Sequence, residues 1–389
     1  MMDRPTSPPR VAFVLHLMQV AGAEMLVAQI IRRLRGHIEP TVLCLDGIGT
    51  LGEQLLAEGV PVVHLHRKPG RDWGLPWRMA RELSHRRIQV IHAHQYTPFF
   101  YAALARSLTW SRPRLIFTEH GRHFPDVVSA TRRRINHLVL RHLATEVNAC
   151  CAFSAQAVGQ IDGFSPTPIE VIPNGIELAA YGQPLDRAAY RATLGVGAMD
   201  TLLACVARFH PVKDHAMLIR AFARIAPRFP QAKLLLAGEG PLRESLEQQV
   251  AEAGIAEQVR FLGVRRDVPQ LLAAVDAFAL TSVSEAASLT VLEAMASRLP
   301  VVVTAVGGNP EMVRDGIDGD LVPRGDDAAC AEALARLLAD PALGRKRGEA
   351  GRERVEERYR LADTIERYHQ LYRRLAGYPA SPPRSGDAP

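Results

Sequence analysis

The sequence predicts an α/β protein built from two doubly wound parallel sheets, one following the other along the chain. Two observations predict it. Short runs that are apolar throughout alternate with segments of helical periodicity, the pattern of strands covered by helices on both faces. A length of 389 residues with 47% hydrophobic content also exceeds one ordinary core and suits two domains of nearly equal size.

Taken in order, residues 1–9 and 377–389 are rich in Pro, Ser and Gly and are expected to be disordered tails. From Arg10 the runs VAFVLHL, TVLCLD, VPVVHL, IQVIHAH, RLIFTEH, EVNACCAF and IEVIP read as the strands of a first domain over 10–178, separated by helical segments such as AEMLVAQIIRRL. Val11–Val20 resembles the apolar core of a signal peptide, with Ala21-Gly22-Ala23 mimicking a cleavage site. His16 and Gln19 interrupt it, so it reads as a first strand feeding a helix. Glu177–Gly197 is less regular, and 179–198 is expected to be a linker. A second series, TLLACVARF, AKLLLAGEG, QVRFLG, AVDAFALTS, LPVVVTA and GDLVP, gives a second domain over 199–358, followed by a closing helix over 359–376. No run approaches the ~18 uninterrupted apolar residues of a membrane span.

The net charge of +6 is unevenly placed: residues 1–180 hold 20 Lys plus Arg against 14 acids, and the remainder holds 27 against 27. Thr131–Leu143, TRRRINHLVLRHL, clusters Arg132, Arg133 and Arg134 at the start of a helical pattern. A charge run is usually a solvated face. Its place in the basic half makes contact with an anionic membrane, or with a phosphate-bearing acceptor, the second reading. Few aromatics are interleaved there, which argues against nucleic acid. Five cysteines without C-x-x-C spacing read as reduced core thiols and point to the cytoplasm, and the basic first domain adds peripheral contact at the inner face of the membrane as a second reading.

Chemistry concentrates in Ser284–Pro310. An apolar strand leads into a turn carrying Glu285, then a helix from Leu289 to Ala296 that carries Glu293, eight positions on. The helix start leaves unpaired N–H groups near Leu289 and Thr290, a site for a diphosphate. Glu293, about 6 Å further along the axis, accepts ribose hydroxyls while Glu285 meets a sugar. The bland alternative, two surface carboxylates near a helix start, is the commoner outcome for such a pair alone. Arg208 follows a strand and Lys213 starts the next helix, two cations at strand ends where a diphosphate would lie. Gly22 opens a helix after the first strand and lets a ligand approach the backbone. His16, His94 and His120 each end a strand, and His120 is the strongest of the three. Two patterns are discounted. Gly47-Ile-Gly49-Thr-Leu-Gly52 matches a dinucleotide fingerprint but follows the second strand and lacks the acidic partner. Asp318-Gly319-Asp320 is a chance D-x-D, and no metal is expected.

The segment SEAASLTVLEAMASRLPVVVTAVGGNPEMV resembles the donor site of retaining family-four glycosyltransferases of the GT-B fold, whose signature is two Glu separated by seven residues. Ala286 and Ala287 depart from the Gly and larger residue often found there, and Ala21 replaces the first of two glycines before Ala23-Glu24. The spacing from Arg208 to Lys213, Thr118-Glu119-His120-Gly121, Gly238-Glu239-Gly240-Pro241 and Phe261-Leu262-Gly263 extend the resemblance over most of residues 10–376. It implies two Rossmann-like domains facing a cleft, a C-terminal helix packing back on the first, and retention of anomeric configuration. It also implies His120 and Glu285 at the transferred sugar, with Gly22, Arg208, Lys213, Leu289, Thr290 and Glu293 at the donor and the backbone near Val264 and Arg265 at the base. The expected activity is transfer of a hexosyl group from a UDP- or GDP-sugar to a glycan or lipid-linked acceptor, without metal or other cofactor, in cell-surface polysaccharide or glycolipid biosynthesis. The rivals are a nucleotide-sugar epimerase or phosphorylase on the same fold and a non-catalytic sugar-nucleotide-binding protein.

Overall fold

A computed structural model of the chain describes residues 7–121 and 129–379. They form two compact units: the first holds the chain up to Gly121, the stretch ending at Ile172 and the C-terminal part from Ala362, and the second holds Pro173–Leu361.

The first unit carries a seven-stranded sheet of β1 (Arg10–Leu15), β2 (Glu39–Cys44), β3 (Val62–His64), β4 (Val90–His94), β5 (Arg114–Glu119), β6 (Glu146–Ala149) and β7 (Glu170–Val171). The order is β3-β2-β1-β4-β5-β6-β7 and every pairing is parallel. The unbroken apolar runs follow from burial on both faces. Ala12, Val14, Ile91 and Phe117 pack with Met79, Leu83 and Phe99 of the helices on one side. On the other side Phe13 meets Tyr372 edge-on, ring centroids 5.9 Å apart. Tyr372 and Tyr368 belong to the C-terminal helix Leu361–Leu375, which is part of this unit, and both are fully buried. Arg374 anchors that helix to Glu146 at 2.9 Å.

The second unit carries β8 (Thr201–Val206), β9 (Ala232–Ala237), β10 (Val259–Gly263), β11 (Ala277–Leu280), β12 (Val301–Thr304) and β13 (Asp320–Val322), again parallel, in the order β10-β9-β8-β11-β12-β13. Residues 179–198, read as a linker, carry the helix Arg187–Thr193 and are tied to this unit. Arg187 and Arg191 hold the two oxygens of Asp276 at 2.7 and 2.8 Å, and Arg191 also donates to the carbonyls of Ala274 and Asp200.

The two discounted motifs have structural jobs. Gly49 opens the helix Gly49–Ala57 at φ +73°, and a Cβ there would stand 2.5 Å from the Met18 carbonyl, which accepts from the N–H groups of Leu51 and Gly52. Those glycines seat a helix against the loop after β1. Asp318 is held by Arg314, and Asp320 by Arg336 and Arg347, so arginines meet both carboxylates of the D-x-D. All five cysteines are buried and free of disulfides. Among the described residues no helix is long and apolar enough to cross a membrane.

Candidate active site

In each sheet the strand order reverses beside the first strand, between β1 and β4 and between β8 and β11, and loops leaving the carboxyl ends there are where α/β proteins bind ligands. In the second unit the loops after the five neighbouring strands β10, β9, β8, β11 and β12 carry nearly every donor residue expected from the sequence.

After β8 the chain makes a 3₁₀ turn, Pro211–Lys213, and Asp214, at φ 42°, caps the helix His215–Ile225 by accepting from Met217 N–H. After β11, Val283 N–H donates to Val212 O at 2.8 Å and the Thr281 hydroxyl to Asp214 O at 2.9 Å, lacing the two loops together. The result is a pair the sequence did not state: Lys213 Nζ lies 2.7 Å from both carboxylate oxygens of Glu285, with side-chain exposures of 19% and 10%. Arg208 is exposed and makes no side-chain ion pair among the described residues, so its charge is available. Its backbone is fixed by the turn after β9, where the Phe209 N–H donates to Glu239 O at 2.9 Å.

The helix Leu289–Ala296 starts where the sequence placed it. Ser288 precedes it without capping it, and its hydroxyl is spent on Thr290 Oγ1 at 3.2 Å, so the first N–H groups stay open for an anion. Glu293 is half-buried one turn in, beside the Tyr181 hydroxyl. Burial pushes the Glu293 carboxyl up to about 7, a rise that the neighbouring Tyr181 hydroxyl opposes. At the sheet edge Val264 is exposed, while Arg265 is held by Asp267 at 2.6 Å and by Tyr190 at 3.2 Å.

Two contributors lay outside the sequence reading. Gly307 sits at φ +55°, where a Cβ would fall 1.7 Å from Glu285 O, and Gly308 N–H donates to that same oxygen at 3.1 Å. The turn after β12 therefore clamps the Glu285 backbone in a way only glycine permits. The GG pair was visible in the sequence, but its partner was 22 residues away. Tyr181 carried no signal at all, since an aromatic residue in an irregular stretch says nothing about which carboxylate it will meet.

In the first unit Gly22 opens the helix Gly22–Arg33 after β1, exposed and behind an uncapped Ala21. His16 pairs with Asp46 at 2.7 Å, and Asp46 is shared with Arg67. His94 and His120, ending the neighbouring strands β4 and β5, meet directly: His94 Nδ1 to His120 Nε2 is 2.8 Å, with the rings stacked at 16°. Burial lowers both, His94 well below its ordinary value and His120 to about 4, so the pair is neutral and shares one N–H. Beneath them the Tyr372 hydroxyl donates to His92 Nδ1 at 2.7 Å, His92 Nε2–H to Thr118 Oγ1 at 2.6 Å, and Thr118 to Asn148.

Comparison with known proteins supplies the family. Residues 20–180 match the model of Glycosyltransferase Family 4, and residues 186–354 match that of Glycosyl transferases group 1. The chain is 30% identical over 307 residues to an N-acetyl-alpha-D-glucosaminyl L-malate synthase of Bacillus anthracis, covering 78% of this chain and 79% of that one. It is 26% identical to the lipopolysaccharide core biosynthesis mannosyltransferase LpsB of Rhizobium meliloti, over 83% of this chain and 90% of the relative. Among solved structures, Anabaena Alr3699/HepE in complex with UDP and glucose superposes with a TM-score of 0.82 at 25% identity, covering 93% of this chain and 99% of that one. With two parallel Rossmann-like sheets and both family models matched, the chain belongs to the group 1, family 4 glycosyltransferases of the GT-B fold.

Proposed function

We propose that this glycosyltransferase moves a hexosyl group, with retention, from a UDP- or GDP-sugar to a hydroxyl of a glycan or lipid-linked acceptor, in the assembly of a cell-surface polysaccharide or glycolipid. The observation that carries the donor reading is the Lys213–Glu285 pair beside the uncapped start of Leu289–Ala296, with Arg208 exposed just beyond the end of the adjoining strand. As the bond from the sugar to the diphosphate breaks, the electron pair leaves on phosphate, and fixed cations and open N–H groups offset that charge without reorganising. The acceptor oxygen bonds to the sugar on the face the phosphate leaves, and its proton passes to the departing phosphate oxygen. Glu285, held by Lys213 and by the Gly307-Gly308 turn, accepts from a sugar hydroxyl, Glu293 accepts from the ribose, and His120 serves the transferred sugar. A solved relative with UDP and glucose, and another structure of that protein with UDP-glucose, support a nucleotide-sugar donor. Positive charge supplied by Arg208 and Lys213, and a D-x-D already held by arginines, favour catalysis independent of metal.

The test is turnover of UDP- and GDP-sugars in EDTA by the wild-type enzyme and by Arg208→Ala. Chelation is expected to leave the wild-type rate unchanged, and the variant to lose roughly 100-fold or more in kcat. Full activity of the variant, or complete dependence on added metal, would overturn the reading. Thermal shifts across a panel of nucleotide sugars identify the base, since stabilisation follows affinity.

A further inference from the structure

His94 ends β4 in the stretch Ile91-His92-Ala93-His94-Gln95, and His120 lies just past β5. The two strands run parallel with His94 opposite Thr118, so His120, two residues beyond Thr118, comes back against the ring of His94 and brings its Nε2 to 2.8 Å from His94 Nδ1. The backbone beside this contact is strained. Gln95 follows His94 at φ 70° and ψ 165°, a region that glycine occupies almost alone, and its N–H is fixed to Thr118 O at 2.9 Å. Such strain persists only where the surroundings impose it, and it clusters at functional sites.

Burial keeps both rings neutral, so each carries one N–H, and the contact uses one of the two. The outward nitrogens are therefore complementary. Where His94 Nδ1–H donates to His120 Nε2, His120 must carry its own proton on Nδ1 and His94 Nε2 is a bare acceptor; where His120 Nε2–H donates, both outward roles reverse. His94 Nε2 and His120 Nδ1 are each buried without a hydrogen-bond partner among the described residues. Either arrangement thus leaves one N–H without an acceptor, and the two differ in which ring bears it.

His94 is 1% exposed, stacked over Phe13 with ring centroids 6.3 Å apart and packed with its centroid 4.0 Å from that of His92. His92 offers it nothing, since its Nδ1 accepts from Tyr372 and its Nε2–H is given to Thr118. An N–H on His94 Nε2 would stay unsatisfied at that depth, which is costly. His120 is only partly buried at the end of its strand, where an incoming oxygen can take the N–H. We propose that His94 is a positioning residue for the transferred sugar: its Nδ1–H donates to His120 Nε2 and so presents His120 Nδ1–H as the donor to a sugar oxygen. The inference rests on the reading in which His120 serves the transferred sugar, and it adds the tautomer and the residue that sets it.

The test is a long-range nitrogen–proton correlation spectrum of the full chain carrying isotope-labelled histidine, with the His120 signals identified by their loss in His120→Gln. In the wild type His120 is expected to carry its proton on Nδ1. His94→Leu removes the donor, and is expected to let that proton pass to Nε2 and to lower kcat with UDP- and GDP-sugars by roughly 10- to 100-fold, while donor KM changes by less than about 3-fold. His94→Asn, which returns a donating amide near the place of Nδ1, is expected to restore the Nδ1 proton and to recover most of the lost kcat. A residue that merely fills space would lower stability in His94→Leu without moving the proton. A wild-type proton on His120 Nε2, an unchanged spectrum in His94→Leu, or a folded His94→Asn no more active than His94→Leu would overturn the proposal. Should both variants fail to fold, the wild-type spectrum alone decides it. The spectrum is read without turnover, so the two failures are distinguishable: this proposal fails with the proton on Nε2 of an active enzyme, and the transferase reading fails when the wild type turns over no nucleotide sugar.

Discussion

Replacing Lys213 with Met tests the central pair most directly. Its ammonium lies 2.7 Å from both oxygens of Glu285, and the two side chains are 19% and 10% exposed. At that distance and an effective dielectric of about 20 the gross attraction is about 6 kcal/mol, much of it offset by desolvation. Exposed pairs are worth below about 1 kcal/mol and breaking a fully buried one costs about 3–5, so a pair this enclosed is expected to cost ~3 kcal/mol when the carboxylate is left alone. For a unit of about 190 residues this lowers its melting temperature by roughly 6–12 °C. Glu285→Gln is expected to cost less, because the lysine stem can swing its charge into water. Lys213→Met combined with Glu285→Gln is expected to recover most of the stability, since no unpaired charge remains. Turnover of the nucleotide sugar is expected to fall roughly 100-fold or more in all three variants. Calorimetry and a donor-turnover assay on the same preparations read both quantities. If the double variant regains activity along with stability, the pair is only a strut between two loops and the catalytic reasoning fails.

Three further outcomes are expected. Donor KM should rise as pH falls through about 7, where Glu293 takes up a proton and becomes a weaker acceptor for the ribose hydroxyls. Glu293→Gln should flatten that profile and Tyr181→Phe should move its midpoint upward, both read by steady-state kinetics. Because the folded value exceeds the ordinary 4.5, the group's contribution to stability is fully present below about 4.5 and is lost as pH rises through about 7. Gly307→Ala drives a Cβ into Glu285 O and should abolish detectable donor binding in calorimetry while circular dichroism still reports a folded chain; retained binding would refute the clamp. Tyr372→Phe leaves buried His92 Nδ1 without its donor and should cost the first unit about 1–3 kcal/mol in thermal unfolding, with no effect expected if that hydrogen bond is unimportant.

The fold was legible because its cause is local. A strand buried on both faces must be apolar throughout, as Val11–Val14 and Leu234–Leu236 are, and a parallel neighbour requires a helix between, so alternation along the chain already states the architecture. The start of Leu289–Ala296 was legible for a similar reason, since helix-forming residues and the polar turn before them lie in one short window. Motif spacing likewise located Arg208, Lys213, Glu285 and Glu293, because loops at the ends of parallel strands share one edge of a sheet. The C-terminal helix and the irregular stretch at 179–198 were harder, as their partners, His92 and Asp276, lie far off in the chain.

The sequence by itself therefore determined the two sheets, the family and the residue types of the candidate donor site. Only the tertiary structure decided that Lys213 is spent on Glu285 while Arg208 stays exposed, that Tyr181 lies beside Glu293, and that Gly307 clamps Glu285. The reason is physical: secondary structure is set by neighbours a few residues away, whereas pairing, burial and surface patches are set by atoms brought together from distant parts of the chain.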